Sequence, residues 1–504
     1  MTWERVVSGA RQTGAAYVFV VVFIVALANR LLPVLRGAGL SGVLGYDDGV
    51  YYAGAVGLVH GRLPYRDFLL LHPPGALLAL TPMATMGRWA GETTGWEASR
   101  LVWMLMGCVT SLVVVGILLP LGRLAAALAG LVYAVFPGAV LVERTTLLEG
   151  LTNLCLAVAL ALLIGEFAST SPEWEPTRRG RWLVPLAAGA LLGFAAAVKI
   201  WGIVPLAVLC VFAVVGLGAR YGGAMALGAL GAITAVCLPF FLAAPAEMWR
   251  MVVLDQFGRD QALDVVQRTM QIVSMSRLAG GSAAFLVAIG ALIGLIVCCV
   301  IAWKAKPYRV VVPLLASMVG LLLISPIFFP HYLGALAVPI ALLTGVLTGV
   351  LTASPRCVRW RIAVAVAGCT ALALDAVALS RIRSGESVPV QLTEAVQPAP
   401  GCITSDDPNN LLALGVVGRN VTRGCVLVVD LGGYSHDLSR GTSLSRGRNT
   451  AWQQVALQYL GSGHYALATR FSLGHGFSAY TAAEIASWPL RLQVEDYELR
   501  QPPD

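Results

Sequence analysis

Gly45 to Gly75 reads GYDDGVYYAGAVGLVHGRLPYRDFLLLHPPG. This stretch gathers Asp47, Asp48, His60, Arg62, Arg66, Asp67 and His72 in a chain that is 57% hydrophobic and only 12% charged. An apolar run, Ala15 to Leu32, comes just before it. Carboxylates beside hydrocarbon are costly unless they are paired or functional, so the stretch belongs to a water-facing surface or to a built site.

Working outward, the composition excludes a soluble globule, in which charged residues approach about a quarter of the total. The mean hydropathy of +0.76 marks an integral membrane protein. The net charge of +8 is not gathered on one soluble face. Basic residues punctuate the apolar runs instead, which is a topology signal and not a nucleic-acid one. Lysine occurs only at Lys199, Lys304 and Lys306, an arginine bias that suits a GC-rich bacterial genome such as an actinobacterial one.

A span needs roughly 20 apolar residues. About eleven runs qualify: Ala15–Leu32, Arg100–Leu119, Ala125–Val142, Leu147–Gly165, Trp182–Val198, Ile203–Gly218, Gly223–Ala243, Ser282–Trp303, Val310–Phe329, Tyr332–Leu351 and Arg361–Leu379. The first lacks a small-x-small cleavage site and is read as a retained span. Gly75 to Trp89 is short and flanked by proline, so an interfacial helix is expected there. Met248 to Met275 has near-helical apolar spacing and reads as an amphipathic helix that lies on the membrane or caps the site as a lid, including Leu263 and the polar Arg259 and Asp260.

With Arg5 and Arg11 on the cytoplasmic side, alternate loops carry Arg123, then Arg178, Arg179 and Arg181, then Arg220, then Lys304, Lys306 and Arg309, then Arg356, Arg359 and Arg361. That pattern satisfies the positive-inside rule. The opposite, extracytoplasmic face then receives Gly45–Gly75, the loop with Glu143, Arg144 and Glu149, the turn at Lys199 and Trp201, the turn at His331, and everything after Arg381. The expected organisation is therefore a membrane domain, residues 1–383, and a small extracytoplasmic α/β domain, residues 384–504. In the latter, CITS and CVLVVD read as strands flanking the helical PNNLLALGVV, Trp452 to Leu460 reads as a helix, and YALATRF as extended. Cys402 and Cys425 open the two expected strands, and in an exported compartment they are read as a disulfide. No metal-ligand spacing is visible.

Asp47-Asp48-Gly49-Val50-Tyr51 after one span, followed by His72-Pro73-Pro74-Gly75, resembles the first outer loop of GT-C glycosyltransferases that use polyprenyl-phosphate sugars. The protein O-mannosyltransferase and aminoarabinose-transferase branch is the nearest in look. The resemblance covers the membrane part and implies Asp47 as catalytic base with Asp48 as companion and second choice. It implies donor-phosphate contacts at His72 and Lys199, and a donor-side role for His331 and Tyr332 in the turn Phe329-Pro330-His331-Tyr332. Two departures are visible: Val50 stands where the aminoarabinose branch has arginine, and Ala76-Leu77 replaces the Leu-Gly-Lys that follows His-Pro-Pro in protein mannosyltransferases.

The chemistry is coherent from the residues alone. A sugar on a polyprenyl phosphate already carries a good leaving group, so the enzyme must deprotonate an acceptor hydroxyl and stabilise the departing phosphate. A carboxylate serves the first task. Lys199, Arg62, Arg66, Arg144 or a protonated His72 serves the second. Tyr51 is a further candidate for sugar or phosphate, and Glu149 for the acceptor side, although Glu143, Arg144 and Glu149 also suit an ion network. Attack opposite the phosphate inverts the anomeric centre. No cofactor or metal is demanded, and the partners expected are a lipid-linked sugar donor, mannose or a pentose in the first place, and a glycan, lipid or protein acceptor. A transporter or lipid-linked-sugar flippase is the alternative; it predicts ionisable groups at the bilayer midplane and related halves.

Overall fold

The computed structural model describes residues 3–168, 180–257, 264–272, 282–353, 368, 380, 385–437 and 445–503. Ten of the eleven expected runs fall on helices, and the eleventh, Arg361–Leu379, lies outside the described residues apart from Gly368. So do Arg178, Arg179, Arg259, Asp260, Leu263, Arg356 and Arg359. Among the described residues, seven helices are long and apolar enough to cross a membrane, and an eighth span arises if one bent pair is counted. The fold is thus a polytopic α-helical membrane bundle.

The helices are α1 (Trp3–Leu35), α2 (Tyr46–Val59), α3 (Gly75–Ala90), α4 (Glu92–Leu118), α5 (Arg123–Val135), α6 (Pro137–Glu143), α7 (Leu148–Ala168), α8 (Gly180–Val198), α9 (Ile203–Leu217) and α10 (Ala219–Ala243). Later come Ser282–Ala302, Val311–Ile324 and Ala337–Thr352. The bent pair is α5 and α6, which meet at 56°. Pro137 starts α6, and a proline that lacks an N–H and clashes with the preceding turn breaks the helix there. The break leaves Arg144, just beyond α6, beside Asp47 and Asp48 of the first loop.

Small residues let the bundle helices approach closely, as is usual where lipid supplies no hydrophobic drive for association. A Cβ at Gly189 of α8 would come within 2.0 Å of the Met225 carbonyl oxygen of α10. The expected interfacial helix is α3, with Leu77 and Leu80 buried and Trp89 largely exposed at its end. The expected lid begins with Pro245–Trp249 and a π-helical turn, Arg250–Leu254, and resumes at Val265–Ile272. It does not merely lie on a surface. Arg268 is buried and donates to the carbonyls of Leu322, Leu323, Ser325 and Pro326, capping the end of Val311–Ile324.

The C-terminal unit holds a four-stranded mixed sheet in the order β1 (Ile403–Ser405), β2 (Tyr465–Leu467), β4 (Tyr497–Arg500), β3 (Leu490–Val494). β1 and β2 are parallel, with Ile403 opposite Tyr465. β4 is antiparallel to both of its neighbours. Strand β1 and the helices at Pro408–Ala413 and Thr450–Gly461 fall where the sequence predicts them, and YALATRF supplies β2. CVLVVD is a correction: residues 425–430 form no ladder, because their side chains are used in packing, with Leu427 against Gly57 and Val429 in the core below. The β3–β4 hairpin was not expected.

That core is shared. Tyr52, Val56, Leu69, Leu77 and Leu80 of the first loop pack in one cluster with Leu392, Ile403, Leu411, Leu412, Leu467 and Leu499 of the C-terminal unit. At roughly 25 cal/mol per Å² of apolar surface removed from water, burial of this kind fixes the unit onto the loop. A cavity is left between this layer and the ends of the bundle helices.

Candidate active site

The cavity has a volume of about 330 Å³. Three parts of the chain wall it: Gly45 to Tyr51 with His72 from the first loop, Arg144, Lys199, His331 and Tyr332 from bundle ends, and Asp430, His436, Arg446 and Arg470 from the C-terminal unit.

Asp47 and Asp48 are adjacent in sequence but have opposite surroundings, because successive residues of a helix point about 100° apart. Asp48 is 1% exposed. Its Oδ2 accepts from Arg100 Nε at 2.9 Å and from the second guanidinium nitrogen, and its Oδ1 accepts from the Thr146 backbone N–H at 2.7 Å and the Thr146 hydroxyl at 2.8 Å. Arg100 in turn donates to the carbonyls of Leu40 and Gly42 and lies 3.8 Å from the Trp96 ring. Asp47 is 39% exposed and faces the cavity, its Oδ2 3.9 Å from His331 Nε2.

Lys199 follows the last turn of α8, where a 3₁₀ turn, Ile200–Gly202, redirects the chain. Its ammonium donates to Glu149 Oε1 at 2.5 Å and sits 4.0 Å from the Tyr332 ring centroid and 4.4 Å from that of Trp201. Trp201 and Tyr332 pack edge to face at 4.5 Å. The cation is thus held between one carboxylate and two aromatic faces with its remaining surface toward the cavity. His331 stacks on Phe329 and is edge-on to Tyr332.

Arg144 lies beyond α6, 3% exposed, and burial together with the nearby Arg100 guanidinium lowers its pKa to about 10, which leaves it charged at neutral pH. Tyr51 is edge-on to His72 at 5.9 Å. Burial and then the Asp47 carboxylate push its phenol well above the usual range, so it stays protonated as a hydrogen-bond donor.

Three expectations are corrected by position. Arg62 and Arg66 do not reach this cavity; they line a separate open hollow with His60, Asp67 and Arg88. The reason is local: Arg66 donates to Asp67 at 3.0 and 2.9 Å, and Asp67 accepts from the Leu63 backbone N–H at 2.7 Å, which closes the loop on itself. The Arg66 contact holds the Asp67 carboxyl below its usual range. Glu149 does not line the cavity either, since it is buried behind Lys199. Glu143 belongs to a buried network, accepting from Arg30 Nε at 2.7 Å and from the Tyr133 hydroxyl at 2.5 Å.

The C-terminal contribution was missed. Asp430 and Arg470 fall in CVLVVD and YALATRF, read from sequence only as extended segments, and His436 and Arg446 lie in the glycine- and serine-rich stretch between them, with no spacing that marks a site. Among the described residues no group of three or more His, Cys, Asp and Glu stands close enough to hold a metal ion.

A carboxylate facing a water-accessible hollow rimmed by guanidinium, ammonium and imidazole groups suits displacement of an anionic leaving group. The family comparison decides the reaction class: the model of glycosyltransferase family 87 matches residues 70–326, just over half of the chain. The chain belongs to glycosyltransferase family 87. This transferase matches no curated protein. Solved structures share its fold. ArnT from Cupriavidus metallidurans in the apo state is 17% identical over 96% of this chain and 98% of that one, with a TM-score of 0.59. Its undecaprenyl phosphate complex gives 15%, 96%, 97% and 0.56. The archaeal oligosaccharyltransferase AglB from Archaeoglobus fulgidus, bound to an inhibitory peptide and a dolichol-phosphate, is 12% identical over 90% of this chain and 69% of that one, with a TM-score of 0.56. At these identities the likeness is one of fold, and it supports a GT-C-like architecture for the transferase. The family model begins after Asp47 and ends before the C-terminal unit.

Proposed function

We propose that the transferase moves a sugar from a polyprenyl monophosphate carrier to an acceptor hydroxyl with inversion, using Asp47 as general base. The observation that carries this reading is the contrast between the two carboxylates. Asp47 opens on the cavity, while Asp48 has both oxygens committed to Arg100 and Thr146. Asp48 is therefore assigned to holding the first turn of α2. The carrier phosphate is assigned to the cations of the same wall, Arg144 and Lys199, with the Tyr51 hydroxyl as a donor and His331, 3.9 Å from Asp47, between them and the base.

In the displacement, Asp47 takes the acceptor proton as the acceptor oxygen bonds to the anomeric carbon. The carbon–oxygen bond to phosphate breaks on the far side, and the phosphate leaves with the electron pair, stabilised by the cationic rim. His72 shapes the wall between the two ends. Undecaprenyl phosphate and dolichol-phosphate, named in the two structural relatives, suggest the carrier class. The favoured sugars are mannose and pentoses, and the acceptor is an extracytoplasmic glycan, lipid or protein. The site is assigned to the outer face of a cytoplasmic membrane, with residues 1–383 as membrane domain and 384–504 as an extracytoplasmic unit that closes the cavity.

Purified protein incubated with labelled decaprenyl- or undecaprenyl-phosphate mannose and pentoses, with cell-envelope glycans as acceptors, tests this. Wild type is expected to transfer label and Asp47→Asn to lose at least about a hundredfold in kcat, the usual worth of a general base. Full turnover by Asp47→Asn overturns the assignment.

A further inference from the structure

Asn409 is fully buried in the C-terminal unit, yet its amide reaches the backbone just before Asp47. Nδ2 donates to the Gly45 carbonyl at 3.0 Å and stands 3.3 Å from that of Tyr46. The same nitrogen is 2.6 Å from Asp407 Oδ1, which also accepts from the Asn409 backbone N–H at 2.9 Å. Three oxygens around one nitrogen fix which way the amide points, because a flipped amide would set Oδ1 against all three.

The approach is close. A Cβ on Gly49, two residues beyond Asp47, would come within 2.8 Å of Asn409, so glycine is what lets the first turn of α2 lie on the asparagine. The neighbouring Tyr46 is gripped independently. Its hydroxyl accepts from the Gly432 N–H at 2.9 Å, Phe471 packs on its edge, and the Arg470 guanidinium lies 5.3 Å from its ring. Asp406 accepts the N–H groups of Thr469, Arg470 and Phe471 at 2.7 to 2.9 Å and so fixes the loop that does this.

We infer that Asn409 is a positioning residue, held by Asp407, that fixes the backbone carbonyls before Asp47 and thereby the direction in which the Asp47 carboxylate enters the cavity. This rests on Asp47 being the base. The C-terminal unit is then part of the catalytic apparatus although none of its residues abstracts the proton. No property of residues 384–504 as a separate module is needed for this role.

The test separates a strap across to the first loop from a bond internal to the C-terminal unit. Asn409→Asp sets a carboxylate against three acceptors. The double variant Asp407→Asn with Asn409→Asp removes the second carboxylate and gives back the N-cap, since Asn and Asp cap alike, but not the donation to Gly45 and Tyr46, nor the internal side-chain bond, because one Asp407 oxygen serves both cap and bond. With decaprenyl- and undecaprenyl-phosphate mannose and pentoses as donors, Asn409→Asp is expected to lower kcat about ten- to a hundredfold with donor KM little changed, the signature of a misaimed group. The double variant should recover much of the thermal midpoint that the second carboxylate costs, but not kcat. Recovery of both, or unaltered kcat in Asn409→Asp, overturns the inference. Inactive Asp47→Asn beside normal Asn409 variants sinks the strap alone, whereas active Asp47→Asn sinks the base assignment. A donor-free measurement stands beside these: hydrogen exchange of residues 44–52 should rise in Asn409→Ala while that of α7 and α8 does not, and unchanged exchange at 44–52 also overturns the inference.

Discussion

Arg100 on α4 and Asp48 on α2 form an ion pair closed to water, 0% and 1% exposed, one residue from a carboxylate that opens on the cavity. Removing one partner of such a pair strands the other charge, at a cost of about 3 to 5 kcal/mol. Asp48→Asn is therefore expected to lower the unfolding midpoint of the detergent-purified protein strongly. Asp47→Asn, on a 39% exposed side chain, should change stability by no more than about 0.5 kcal/mol. Equal midpoints for the two variants would contradict the division of labour between them.

Lys199 and Glu149 allow stability and activity to be separated. Lys199→Met leaves the Glu149 carboxylate buried without its cation. Adding Glu149→Leu replaces the whole pair by hydrocarbon, a change that is often neutral or stabilising. The double variant is expected to regain the midpoint lost by Lys199→Met and to stay about a hundredfold or more below wild type in kcat, because charge on the leaving phosphate is no longer met. Restored transfer in the double variant would move the phosphate away from Lys199.

Much of this was readable in the chain, and the limits have physical causes. Apolar runs announce helices because a span must satisfy its backbone internally, so all but the last run can be matched to a described helix. The same signal does not register a bend, and Pro137 turned one expected run into α5 and α6. Asp47, His72, Arg144, Lys199, His331 and Tyr332 meet in one cavity, as their common end of the bundle implied. Arg62 and Arg66 share that end and still miss it, since the loop between α2 and α3 folds on itself through Arg66, Asp67 and the Leu63 N–H. Asp430, His436, Arg446 and Arg470 carry no local motif, and they reach the cavity only through the apolar core that joins the first loop to the C-terminal unit. The transporter alternative gave way to the enzyme on family membership, not on charge placement, since Arg30 and Glu143 do lie buried among the spans.

Asp406 predicts a pH dependence of the C-terminal unit. Burial pushes its carboxyl up to about 7, outweighing the three backbone N–H groups that pull it down. In the unfolded chain the carboxyl titrates near 3.8. Between these values the folded state holds the proton that the unfolded state has released, so stability falls as pH rises from about 4 to 7 and stays low above. The change is on the order of 4 kcal/mol at most, from about three pH units at 1.36 kcal/mol each. Thermal unfolding at pH 5 and pH 8 should show the drop in wild type and a much smaller one in Asp406→Asn. The same drop in both would remove Asp406 as its source.

The disulfide between Cys402 and Cys425 closes a loop across 23 positions and ties the start of β1 to the segment that leads into Asp430. Chain entropy gives such a loop about 3 kcal/mol. Cys402→Ser with Cys425→Ser is therefore expected to lower the midpoint of the C-terminal unit and raise hydrogen exchange at 425–433, with the α8–α10 contact unaffected. The bond also reports orientation, since disulfides persist outside the reducing cytoplasm. Cells lysed into a membrane-permeant alkylating reagent without reductant should leave both cysteines unmodified, and a reporter fused after Asp504 should be active only in the extracytoplasmic compartment. Alkylation of Cys402 and Cys425, together with cytoplasmic reporter activity, would invert every loop and place the Asp47 cavity on the other face of the membrane.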